Sequence, residues 1–324
     1  MHRLLASEYS IQVKERATLF NQEAFLDESF VYFIMSSQDK EVTYMEQAAL
    51  AYFLHENNYH VLAHPIRNKQ GDWFTTHDQD QLMVIRVEHH NEQQRMSDGY
   101  KLASFHQIGS TYSFEPQTLS SYGQWKDLWI EKLTMVETSI QQKNEEESHP
   151  YYRLVMDILP YIIGICENAI QYIAESEVDL RFNSIDQGSI TFHRYNNHLQ
   201  EPIIWFHDLV FDHPTRDIAE YIRYQFLINQ NRGSSDITSF LEDYQQVRPL
   251  SIFSWRQLYG RLIYPAHFFD CLEIVLLNGL EEKSYAELER LINVQTDYEK
   301  RLRDLFDLAG VGNYELEIPT LSWL

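Results

Sequence analysis

The sequence predicts an α+β protein of two lobes, a small β-rich N-lobe and a larger helical C-lobe. Three observations predict it. Short β-type runs with a single helix fill the first third of the chain. The remaining two thirds carry apolar residues mostly at helical spacing. One β-type, hairpin-like patch near residues 189–212 interrupts that helical part. The expected division is residues 1–87 for the N-lobe and 88–324 for the C-lobe, with a hinge near residues 86–91.

In chain order, Phe30–Met35 is an apolar and aromatic run of strand length. Thr43–His55 follows with Met45, Ala48, Ala49, Tyr52 and Phe53 at helical spacing, and Thr43 with Glu46 forms a capping-box pattern. Tyr59–Ala63, Asp72–Thr76 and Leu82–Val87 read as three antiparallel strands, with a turn at Asn68–Gly71. Ser97 or Asp98 is expected to cap a helix that ends at Gly109, a C-cap candidate. Longer helices are predicted over Leu119–Gln142 and Tyr151–Glu175, joined by the charged connector Asn144–Ser148. Ser189–Phe192 and Pro202–Phe206 are the β-type patches that flank His193–His198. Helices resume near Thr215 and run to about Ala309.

Composition narrows the function. The chain has 324 residues, 44% hydrophobic and 14% aromatic, enough for a sizeable core. Its 26 basic and 48 acidic residues give a net charge of -22. Such a surface repels phosphate backbones and anionic bilayers, so neither nucleic acid nor membrane is an expected partner. The most apolar segment, Ile158–Ile173, is interrupted by Pro160, Glu167, Asn168 and Gln171 and is not expected to span a bilayer. Met1–Glu8 lacks the apolar stretch of a secretory signal. Cys166 and Cys271 read as buried free thiols in a reducing compartment.

Four segments, in order, carry a resemblance. Tyr44–Leu54 is similar to the N-lobe helix of CotS-type kinases, and Leu102–Ile108 to their first C-lobe helix. Ile190–Tyr195 sits where their catalytic loop would be. Phe211–Ile218 is similar to the segment after their metal-binding Asp, with Asp212, Pro214, Arg216 and Asp217 keeping an Asp-x-Pro-x-Arg-Asp spacing. The chain thus resembles the CotS family, and within it the YutH-type endospore coat-associated proteins. The resemblance implies a protein-kinase-like fold related to aminoglycoside phosphotransferases.

Phosphoryl transfer in that fold uses a strand Lys held by a helix Glu, a catalytic-loop Asp, and an Asn and a second Asp on magnesium. The resemblance puts Ile34 at the Lys position and Glu46 at the helix Glu. The catalytic loop reads His193, Arg194, Tyr195 and then Gln200. Tyr195 stands for the catalytic Asp, and its phenol is a poor proton acceptor at neutral pH. Gln200 stands for the metal-binding Asn. Trp205 stands for the metal Asp, and an indole offers no ligand; Asp208 replaces it only with a local shift. No glycine-rich phosphate loop occurs in residues 1–35. Asp212, Pro214 and Asp217 are expected to act in folding, and His193 to be architectural. The fourteen histidines match no defined zinc spacing, so no metal or cofactor is expected.

The expected function is a catalytically inactive, kinase-like structural or assembly component of the endospore coat. Its partners would be other coat proteins, and its place the mother-cell cytoplasm and then the coat. The alternatives are an atypical phosphotransferase acting on a small molecule or coat protein through Asp208 or Asp212, and a ligand-binding module without chemistry.

Overall fold

The computed structural model describes residues 1–88, 96–176, 183–228, 233–312 and 318–321. The chain forms two compact units, residues 1–120 with 189–212, and residues 121–188 with 213–324. The first unit therefore runs past residue 87 and takes in the β-type patch of the second half. Residues 89–91 of the expected hinge, including His89 and His90, lie outside the described residues.

The first unit opens with helix α1 (His2–Tyr9), whose Leu4 and Leu5 are buried. Strands β1 (Glu15–Leu19) and β2 (Gln22–Leu26) form a hairpin that pairs Leu19 with Gln22. Its two-residue turn, Phe20-Asn21, has positive φ at both positions. That is the primed turn hairpins favour, and Asn-Gly is its usual signal. With Phe in the first place the signal is absent, and neither α1 nor this hairpin is among the expected elements.

Strand β3 (Phe30–Ser36), helix α2 (Glu41–Glu56) and strands β4 (Leu62–Ile66), β5 (Phe74–His77) and β6 (Asp80–Glu88) follow, close to the expected order. The turn at Asn68–Gly71 forms as expected: Asn68 Oδ1 accepts from the N–H groups of Gln70 and Asp72, and Gly71 has φ +91°. The sheet order is β1-β2-β3-β6-β4, with β5 alongside β6. One face covers Leu5, Ile11, Phe25, Tyr32 and Val84. Helix α3 (Asp98–Gly109) starts as expected, with Ser97 Oγ accepting from the Tyr100 N–H. The unit closes with β7 (Ser189–Phe192), β8 (Ile204–Trp205) and β9 (Leu209–Asp212). β8 joins the large sheet in parallel beside β4, while β7 and β9 form a separate antiparallel ribbon.

Two local expectations are corrected. Helix α2 begins two residues early, from N-cap Lys40, so Thr43 lies inside it and the capping box does not form. Glu46 instead accepts from the N–H groups of Gln117, Thr118 and Leu119 at 2.9–3.1 Å. Gly109 is the last residue of α3 and has no positive φ. A Cβ there would come within 2.7 Å of Ser189 Oγ and 2.9 Å of the Ile190 N, so Gly109 exists for close approach of α3 to β7.

The second unit is helical: α4 (Trp125–Glu146), α5 (Pro150–Ser176), α6 (Thr215–Ile228), α7 (Gly233–Val247), α8 (Ile252–Ile263), α9 (Ala266–Asn278), α10 (Ser284–Arg303) and α11 (Leu305–Leu308). α4 continues through Asn144–Glu146 of the expected connector, where Lys143 pairs with Glu146 and Glu147. α5 runs unbroken through Pro160. By length and composition α5 is long and apolar enough to cross a membrane. Its Ile162, Ile165, Ala169 and Ile173 are buried and it packs against α4 and α8, which is how a core helix uses such surface. A Cβ on Gly260 of α8 would meet Ile173 Cδ1 at 2.6 Å. Cys166 and Cys271 are free and buried, as expected.

Candidate functional site

The residues that the phosphotransferase resemblance singles out lie in the first unit, apart from Pro214 and Asp217. The ribbon of β7 and β9 pairs Phe192 with Leu209. At its open end the His193 N–H donates to the Asp208 carbonyl at 2.7 Å. The chain between turns through Asn197 in the left-handed region (φ 54°), makes one 3-10 turn at His198–Gln200, and passes through β8 to a second at Phe206–Asp208. The α2 helix holds this second turn: Gln47 Nε2 donates to the carbonyls of His207 (2.7 Å) and Leu209 (3.1 Å). Tyr44 of α2 also reaches this turn, its ring 5.3 Å from that of Phe206, whereas Glu46 is bonded to the 117–119 backbone.

The side chains around it are largely aromatic. Trp205 meets Phe33 of β3 edge-to-face at 4.9 Å and Phe20 of the β1–β2 turn at 6.3 Å. Side chains alternate along a strand, so Ile34 points to the other face, where it packs with Tyr32 and Val84. Phe33, not Ile34, is the β3 residue that faces Trp205. Tyr195 is buried, its ring 5.5 Å from Phe192 and 5.9 Å from His198. His193 is exposed. Its backbone N–H, bonded to the Asp208 carbonyl, closes the end of the ribbon.

The polar groups have partners within the unit. Gln200 Oε1 accepts from Lys101 Nζ at 2.7 Å, and Gln200 Nε2 donates to Asp98 Oδ1. Both partners come from the first turn of α3, so the Gln200 carbonyl is directed at an ammonium. Asp208 lies between two imidazoles, 3.7 Å from His198 Nε2 and 4.0 Å from His207 Nε2. Burial holds both histidines below the ordinary imidazole range, while the Asp208 charge pulls the other way. Asp208 is a partly exposed carboxylate, and Asp212, on β9, is fully buried. Two neutral imidazoles beside one carboxylate make a weak site for magnesium, which prefers oxygen ligands.

The chain matches known proteins in both sequence and fold. The sequence model of the family described as "spore coat putative kinase YutH" matches residues 2–305. The chain belongs to the YutH spore-coat family. It is 32% identical over 302 residues to the endospore coat-associated protein YutH of Bacillus subtilis (strain 168), covering 91% of this chain and 89% of that protein. Among solved structures it is similar to an aminoglycoside phosphotransferase from Alicyclobacillus acidocaldarius, with TM-score 0.65, 12% identity and 96% of each chain covered. It is also similar to a spectinomycin phosphotransferase bound to ADP and spectinomycin, with TM-score 0.57, 13% identity, and 93% and 97% of the two chains covered. These likenesses show the fold: a YutH-family chain has the kinase-like, aminoglycoside phosphotransferase-like architecture, with a curled β-sheet N-lobe and a mostly helical C-lobe.

Proposed function

We propose that this YutH-family protein is a catalytically inactive, kinase-like component of the bacterial endospore coat, where it acts by binding other coat proteins. One observation carries the loss of catalysis. Protein kinases cover the nucleotide phosphates with a glycine-rich loop and contact them with a strand Lys and a metal-binding Asp. In this chain the tight turn of the first hairpin, the third strand and β8 contribute Phe20, Phe33 and Trp205, with the Trp205 ring meeting both of the others instead. Three aromatic rings supply neither the cation nor the metal ligand that charge stabilisation in the transfer step requires. Tyr195 and Gln200 add to this, the one a buried phenol and the other an amide engaged by Lys101.

Assignment to the coat rests on the relative named an endospore coat-associated protein, which aligns over nine tenths of this chain. The lobe boundary near residue 87 and assembly from the mother-cell cytoplasm belong to the same reading. In a sporulating host, a fluorescent fusion is expected to start in the mother cell and gather as a shell around the forespore. A signal that stays diffuse until the spore is released contradicts the assignment.

The competing phosphotransferase reading has one observation in its favour, the partly exposed Asp208 carboxylate at the end of β8. It lacks a cation on β3, since Phe30–Ser36 contains neither Lys nor Arg.

A further inference from the structure

We propose that His55, His60 and Glu88 form a binding site for a borderline divalent metal ion of the zinc type, at the end of the sheet where α2 turns into β4. The site is distinct from the Trp205 segment and does not depend on the proposed function. Three separate elements build it. His55 lies in the last turn of α2. His60 follows in the turn to β4, two residues after Asn58, which adopts the left-handed conformation (φ 70°) and sends the chain back along the sheet. Glu88 is the last residue of β6. β4 and β6 pair with His64 opposite Arg86, and Glu88 lies two residues further along the same face.

One ligand atom from each of the three side chains lies within 4.8 Å of the other two. His60 Nδ1 is 3.3 Å from Glu88 Oε1. Donor atoms on a tetrahedral zinc ion, at bonds of about 2.0–2.1 Å, sit about 3.3 Å apart, so one edge of the tetrahedron is already in place. His55 Nδ1 is buried and has no hydrogen-bond partner among the described residues. Two imidazoles and one carboxylate are a donor set that zinc accepts with a fourth position left to water. The side chains of His60 (40% exposed) and Glu88 (38%) leave that position open to solvent.

The surroundings hold this arrangement. His64 packs against the His55 ring at 4.3 Å. Its Nε2 accepts from Arg86 Nε at 3.3 Å, which leaves Nδ1 to donate to the Leu62 carbonyl, also at 3.3 Å. His64 is thus committed as a neutral wall rather than a ligand. The Arg86 guanidinium lies over the Phe30 ring at 4.7 Å. A metal there ties the end of α2 to the end of β6.

The test uses the full chain, stripped with chelator, titrated with zinc chloride alone by calorimetry and with cobalt(II) by visible absorption. The expected result is about one ion per chain and the strong cobalt band of a four-coordinate nitrogen and oxygen site. His60→Gln and Glu88→Gln are each expected to weaken binding by at least about tenfold. His77→Gln, at the distant β5–β6 turn, is expected to leave it unchanged. Both ligand positions are partly exposed, so the variants should match the wild-type circular dichroism without metal. No zinc binding, a six-coordinate cobalt spectrum, or affinity that survives both ligand substitutions overturns the proposal; the spectrum decides it on the wild-type protein alone.

Discussion

Asp217 has no exposed surface and lies in the first turn of α6, where a negative charge complements the helix N-terminus. Replacing it with Asn keeps the shape but removes the charge and an acceptor, leaving buried donors unsatisfied at about 1–3 kcal/mol. Asp217→Asn is expected to lower the melting temperature by several degrees in a thermal melt, and to leave affinity per folded molecule unchanged for whatever the protein binds. A second residue-scale expectation concerns pH. His267 is buried beside Gln295, and burial first, then the nearby Arg223, depresses its pKa to about 3. The unfolded chain takes up this proton near 6.5, so between about 6.5 and 3 the unfolded state holds more protons. Stability therefore falls as pH drops through that window and is unaffected by this group above it. The loss is about 2 kcal/mol at pH 5 from His267 alone. Urea unfolding at pH 7.5 and pH 5 should show it, and His267→Gln should flatten the difference. At this scale the sequence was partly legible. The Asp-x-Pro-x-Arg-Asp spacing picked out Asp212 and Asp217, both buried in the structure. The facing residue of β3 was not legible, because Val31, Tyr32 and Phe33 are all buried and no alternation marks a face. The His55–His60–Glu88 group was invisible for another reason: its members come from three elements and share no sequence spacing.

Elements with strong local signals were predicted closely, and those fixed by tertiary contacts were not. The Ser97 cap set the start of α3 in the sequence as it does in the structure. The Thr43 and Glu46 pattern failed because a backbone loop at 117–119 offers Glu46 three N–H donors, more than its own helix end would. The first hairpin was missed because β1 is an exposed edge with mixed polarity and its turn carries Phe20. A non-glycine residue in the left-handed region costs about 1–2 kcal/mol, and here the Phe20 ring gains the edge of Trp205 in return. Gly109 offers the cleanest test of packing between elements. Gly109→Ala raises helix propensity by about 1 kcal/mol, yet its methyl group would strike the β7 backbone at Ile190. A net loss of about 1–3 kcal/mol in urea unfolding is expected. An alanine variant as stable as the wild type would show that α3 and β7 do not sit this close.

For the molecule as a whole, the α+β class and the kinase-like architecture were legible from the order of elements and the four matched segments. The compact units were less so: β7, β8 and β9 begin about eighty residues or more after α3 ends, yet belong to the first unit. Contacts over such distances in sequence leave no periodic trace. The proposed function requires a kinase-like fold that carries no phosphoryl-transfer activity. Incubation of the full chain with radiolabelled ATP and magnesium tests it most directly, using spore-coat extract and aminoglycosides as acceptors, with Asp208→Ala run in parallel. No label on protein or small molecule above the no-enzyme background is expected, for either form. Transfer by the wild type that disappears in Asp208→Ala would contradict it and make Asp208 the metal-binding carboxylate of a working kinase.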